Sequence, residues 1–161
     1  MTLVLRRVLL VMLFLVAIWI GVWAYFMPRS WYDTFPGFGI RLLVQLGPYN
    51  EHFVEDSGSM YLALAVLTAV AIRLSSSDSI VRVAAAAWTT FNVFHLAYHL
   101  TMLDVYDTGE QTFLVISLVV LLVVSAPLLL PARPARSPRP PEAPDPPEAP
   151  DPPEALDLPQ P

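Results

Sequence analysis

The chain has 161 residues and a formal net charge of −5, and it is 55% hydrophobic with only 14% charged residues. Soluble domains carry roughly 25% charged residues, so a soluble fold would have to cover a large core with very little polar surface. That excludes an ordinary soluble domain. The absence of cysteine excludes disulfides and thiolate metal sites, and the acidic balance argues against a nucleic-acid partner.

The apolar residues fall in four blocks, each close to the about 20 residues of helix that cross a bilayer. The first runs from Val8 to Met27 behind Arg6 and Arg7. A signal peptide has an apolar core of about 7–15 residues and a small-residue cleavage site. Here the core is longer and ends in Trp23-Ala24-Tyr25-Phe26, which suits the aromatic belt of a retained anchor.

The connection that follows, from Pro28 to Asp56, is too apolar for a solvated loop. Trp31, Tyr32 and Phe35 favour the headgroup level. Phe38, Leu42, Leu43 and Leu46 recur at helical spacing between the Gly37/Gly39 and Gly47-Pro48 breaks. That spacing predicts a short interfacial helix lying over the bundle.

The second block, Ser57 to Leu74, is the shortest. Asn50 is a good N-cap with Glu51 in the first turn, so this helix is expected to start near Glu51. Glu51 and Glu55 are one turn apart on it, as are His52 and Asp56. Gly58 and Ser59 follow, small enough to let another helix approach closely.

The third block, Ile80 to Leu103, contains Asn92-Val93-Phe94-His95-Leu96-Ala97-Tyr98-His99-Leu100. Trp88, Asn92, His95, His99 and Met102 form one seam at alternating spacings of four and three. His99 is expected roughly 5 Å and His95 roughly 10 Å below the outer edge, with Asn92 near mid-depth. Lipid cannot satisfy polar side chains there, so this seam is expected to face the bundle interior. The fourth block, Gln111 to Leu130, is aliphatic apart from Ser117 and Ser125 and reads as scaffold.

Arginine placement predicts orientation. All nine basic residues are arginines: Arg6 and Arg7 precede the first span, Arg73 and Arg82 bracket the second connection, and Arg133, Arg136 and Arg139 follow the fourth. Only Arg29 and Arg41 fall in the first connection and none in the third. The positive-inside rule therefore puts both termini in the cytoplasm. Arginine without lysine, with abundant Ala, Val and Pro, hints at a G+C-rich genome and a bacterial plasma membrane.

The expected architecture is all-α: a four-helix transmembrane bundle over 1–130 with spans near 8–27, 57–74, 80–103 and 111–130. Residues 131–161 form a tail that repeats Pro-Pro-Glu-Ala-Pro-Asp at 140–145 and 146–151. Prolines this dense and mutually repelling acids predict an extended, disordered cytoplasmic segment. Such a tail could recruit a protein that reads proline-rich segments.

Consecutive spans joined by a short turn are expected to be antiparallel neighbours. The outer start of the second helix would then face the outer end of the third. His52, Asp56 and Glu55 would approach His95 and His99, with Glu51 and Asn92 in support and Asp104 at the mouth. The cytoplasmic side holds no comparable cluster.

Four readings follow. The polar residues could simply join two helices, or serve a partner-binding membrane subunit, through contacts averaging about 0.6 kcal/mol. His52, Asp56, His95 and His99 could complete a shell for zinc, iron or copper. His52 could oppose His95 or His99 as an axial ligand of a b-type haem. Glu51, Glu55 or Asp56 could carry a proton, partnered by a histidine, in acid–base work on a lipid or isoprenoid substrate. A conducting channel does not fit, because the polar residues do not continue across the membrane.

The stretches Ser30-Trp31-Tyr32-Asp33-Thr34-Phe35-Pro36-Gly37, Pro48-Tyr49-Asn50-Glu51-His52-Phe53-Val54-Glu55-Asp56-Ser57-Gly58 and Phe94-His95-Leu96-Ala97-Tyr98-His99-Leu100 together resemble a group of small four-helix membrane proteins, mostly actinobacterial and of unknown function. The resemblance covers roughly residues 25–105. It implies a fold and a setting, and it transfers no catalytic role.

Overall fold

A computed structural model describes residues 1–132; the proline-rich tail and its expected disorder lie outside them. Residues 1–132 are mostly helical. The long helices are α1 (Leu3–Phe26), α3 (Glu51–Arg73), α4 (Asp78–Leu100) and α5 (Thr108–Ser125), with the short α2 (Pro28–Thr34) after α1. A 3-10 turn, Ala126–Leu129, extends α5. These four long helices are long and apolar enough to cross a membrane. Large apolar side chains such as Val66, Phe94, Ile116 and Val123 point outward from them, as lipid-facing side chains do.

Capping sets the helix starts. Thr2 Oγ1 accepts from Leu5 N, and Asn50 Oδ1 accepts from Phe53 N, each at 3.3 Å. Asp107 Oδ1 accepts from Glu110 N at 2.9 Å while Glu110 Oε2 accepts from Asp107 N at 3.2 Å, a reciprocal capping box.

The first connection differs from the expectation in one respect. It contains a short helix, but that helix is α2, which begins with Pro28 at its first turn. The stretch from Phe38 to Leu46 instead belongs to a two-stranded hairpin, β1 (Pro36–Gly37) and β2 (Ile40–Arg41), and a 3-10 turn, Leu43–Gln45. Gly37, Phe38 and Gly39 have φ of 93°, 58° and 83°, left-handed values that no right-handed helix can contain. The apolar spacing was real, but the glycines set the backbone.

The four long helices run up and down, with α1 packed most extensively on α3, and α4 between α3 and α5. The α1–α3 approach is close because Gly58 faces the α1 backbone: a Cβ there would sit 2.6 Å from Tyr25 N. The buried face of α3 is Val54, Gly58, Tyr61, Ala65, Thr68 and Ala71. Across the bundle middle, Trp88 Nε1 donates to Thr68 Oγ1 at 2.8 Å.

A second polar centre, unanticipated from the sequence, closes the end where α1 begins. Arg6 is fully buried and donates to Asp78 Oδ1 at 2.6 Å, Ser75 O at 3.1 Å and Leu130 O at 3.3 Å. Arg7 Nε donates to Ser75 Oγ at 2.8 Å, and Ala132 N to Asp78 Oδ1 at 3.1 Å. One guanidinium therefore joins α1, the α3–α4 turn and the end of the α5 segment.

Candidate functional site: an apolar cavity with two histidines

The opposite half of the bundle encloses a cavity of about 500 Å³. Its walls are Val16, Trp19 and Ile20 of α1, Ser57, Met60 and Tyr61 of α3, Phe91, His95 and His99 of α4, and residues of α5 from Phe113 to Leu121. Trp31, Phe35, Pro36, Phe38, Leu42 and Leu43 of the first connection form the roof. Trp19, Phe113, Ile116 and Val120 line the cavity and are also exposed on the bundle surface. Met60 of α3 and Phe38 of the roof line it and are exposed as well, so the cavity reaches the bundle surface, α1 and α5 included, where lipid would cover it.

The roof is tied down by polar contacts. Arg41 Nε donates to Asp33 O at 2.8 Å, Tyr32 Oη donates to Gly47 O, and Gln45 Nε2 donates to Glu110 Oε2 at 2.7 Å. Arg29 Nε donates to Asp33 Oδ2 at 2.8 Å and its guanidinium lies 4.9 Å from the Tyr49 ring centroid. The Asp33 hydrogen bond, then its charge, raises the Arg29 pKa; desolvation and then Glu51 raise that of Tyr49. Leu42 is buried with Tyr106, Leu114 and Leu118, so the roof packs onto α5 as well.

The two histidines stand one turn apart on the wall. The His95 ring stacks on Phe91 at 5.0 Å and meets His99 edge-on with centroids 4.7 Å apart. His99 is buried and its Nδ1 has no hydrogen-bond partner. Trp31 Nε1 in the roof is likewise buried without a partner.

His52 and Asp56 do not join this pair. They lie on an exposed face of α3, with His52 Nε2 3.4 Å from Asp56 Oδ2, and their side chains are 78% and 63% exposed. Helical phase explains the miss: His52 is two residues before Val54 on the buried seam, roughly 200° around the axis. Ser57, one position on from Asp56, with Met60 and Tyr61 one turn later, is what α3 presents to the cavity. Glu51 is exposed, Glu55 half-buried and Asp104 exposed in the turn after α4; none of them lines the cavity.

The proximity expected of His52, Asp56, His95 and His99 is therefore corrected. No group of three or more His, Asp or Glu side chains able to hold a metal ion occurs among the described residues. The same placement removes His52 as a haem ligand opposite His95 or His99, and removes the three carboxylates as proton carriers for them. Asn92 is buried and points elsewhere, its Nδ2 donating to Leu121 O at 3.2 Å and Ser125 Oγ at 3.1 Å. It joins α4 to α5, which gives the α5 serine a role that the scaffold reading did not foresee.

The chain matches no family model, no curated protein and no solved structure.

Proposed function

We propose that this chain is a multi-pass membrane protein that takes an apolar molecule from the bilayer into the cavity beside His95 and His99. The observation that carries this reading is an almost wholly apolar cavity that reaches the bundle surface, with both imidazoles on its wall. Ligand sites combine such apolar linings with a few polar groups that fix orientation. Arginine placement supports cytoplasmic termini and therefore a cavity in the outer half of a plasma membrane. The group of small actinobacterial four-helix proteins that the motifs resemble is the setting we propose for it.

Three alternatives have less support. A metal or haem site would need ligands that the fold leaves on separate faces. A purely helix-joining role does not fit the histidines, because among the described residues neither imidazole hydrogen-bonds another helix, whereas Asn92 and Trp88 do. Acid–base chemistry remains as an elaboration of binding, with the histidines and Tyr61 as the titratable groups that the described residues place on the wall.

Photolabelling tests the proposal. A lipid carrying a diazirine in its apolar chain should label the inward residues Phe91 and Tyr61 in reconstituted protein. Ser117→Trp, which fills the cavity from α5, should abolish that labelling and spare the outward Phe94. Labelling confined to outward positions in the unmodified protein would refute it.

A further inference from the structure

We infer that the cavity's ligand carries a flat, uncharged head with two carbonyl oxygens, an isoprenoid quinone. This rests on the proposed bilayer ligand and adds its chemical class.

The charge of the lining decides first. Among the described residues no Arg, Asp or Glu side chain lines the cavity, so none of them balances a phosphate or carboxylate there, and a buried unpaired ion is strongly disfavoured. Common phospholipids and ionised fatty acids are therefore poor occupants.

The polar atoms decide next. Trp31 Nε1 can only donate a hydrogen bond, and His99 Nδ1 donates in one of its two tautomers. Both are buried without a partner, on residues that are 8% and 6% exposed, and both residues line the cavity. They belong to different elements, Trp31 to the roof and His99 to the α4 wall. Buried donors are nearly always satisfied in folded proteins, so a pair of them around one cavity calls for a ligand with two acceptors. Both atoms are covered as the rings stand, so seating such a ligand requires each ring to turn its N–H toward the cavity.

Shape decides last. Flat rings are concentrated at the same end: Trp31 and Phe35 lie 5.3 Å apart, and Phe91 is stacked on His95 with planes 19° apart. Such faces favour an aromatic or quinonoid head by offset or edge contacts. The rest of the lining, from Val16 to Leu121, is aliphatic and aromatic apart from Ser57 and Ser117, whose hydroxyls donate to Phe53 O and Phe113 O, and suits a prenyl chain leaving between α1 and α5.

The test uses the purified full chain in mild detergent, titrated by calorimetry with a monoprenyl naphthoquinone and, separately, with dioctanoylglycerol. The expected result is saturable quinone binding, no diglyceride binding, and a quinone C=O stretching band shifted to lower frequency in the bound state. Trp31→Phe and His99→Phe should each weaken quinone binding about tenfold, the size of one lost hydrogen bond near 1.4 kcal/mol, and Trp31→Phe should remove part of the band shift. Binding of the diglyceride alone would overturn the quinone assignment and leave the bilayer-ligand reading standing. Binding of neither, with no photolabel inside the cavity, would overturn both. Quinone binding with an unshifted carbonyl band would overturn the donor assignment, whatever the stability of the variants.

Discussion

Arg6 and Asp78 meet at 2.6 Å across 72 positions of sequence, fixing the start of α1 to the start of α4. The same guanidinium also caps the carbonyls of Ser75 and Leu130. The end of the bundle opposite the cavity is thus closed by hydrogen bonds to one buried guanidinium, while the cavity end is closed by an apolar roof held at its rim by Arg41, Tyr32 and Gln45.

Removing Asp78 should be costly, because the fully buried Arg6 charge loses its counter-ion. Asp78→Ala is expected to destabilise the protein by about 3 kcal/mol. Arg6→Lys should not rescue the pair, since an ammonium cannot reproduce the guanidinium's fork of donors. Thermal unfolding in detergent reads both. A melting temperature unchanged by Asp78→Ala would show that the clamp contributes nothing.

The α1–α3 contact allows a sharper test. Gly58→Ala places a Cβ 2.6 Å from Tyr25 N and 2.9 Å from Tyr25 Cα. The neighbour is backbone, so the helices themselves must separate, at about 1–3 kcal/mol for such overpacking. Gly109→Ala, whose Cβ would meet only the Asp107 Oδ1 atom at 3.3 Å, is the control and should change little.

Alkaline pH isolates one buried group outside the spans. Burial, then the charges of Tyr98 and Glu110, pushes the Tyr106 pKa up to about 12, from an ordinary value near 10. The unfolded chain loses this proton before the folded chain does. Stability from Tyr106 is therefore constant below pH about 9 and falls as pH rises from about 10 to about 12. The Tyr106 hydroxyl is buried without a partner, so Tyr106→Phe should match or slightly exceed the parent's stability at neutral pH. It should also show a shallower loss at high pH. Parallel alkaline profiles for the two proteins would contradict this.

Much of the fold is legible in the residues. Asn50 marks the start of α3, and the run Trp88, Asn92, His95, His99 marks the inner face of α4, where Trp88, Asn92 and His99 are buried. The site was only half legible. A pair at i and i+4 identifies residues on one helix face, but not the angle at which the neighbouring helix presents its own. Val54, Gly58, Tyr61 and Ala65 define that angle, and they include the glycine that was read simply as permitting close approach. Following this seam would have put Tyr61, not His52, opposite the histidines. Arg6 was hidden for another reason: as a flanking arginine it resembled an orientation signal, and only the folded chain brings Ser75, Asp78 and Leu130 around it.

The separation of the two histidine groups yields a functional contrast. The double variant His52→Ala/Asp56→Ala should retain any molecule bound in the cavity, because both side chains are on the outer face of α3. His95→Ala should reduce retention at least severalfold. Binding assays on the two variants compare them directly, and equal losses would mean that the exposed pair takes part after all.

The most direct test of the bilayer-ligand account is solvent extraction and mass spectrometry of the protein purified in mild detergent, beside its Ser117→Trp variant. The account predicts one apolar species at close to one equivalent per chain, absent from a Ser117→Trp protein that melts at a similar temperature. No species above the bulk-lipid background, or the same species at the same level in both proteins, would contradict it.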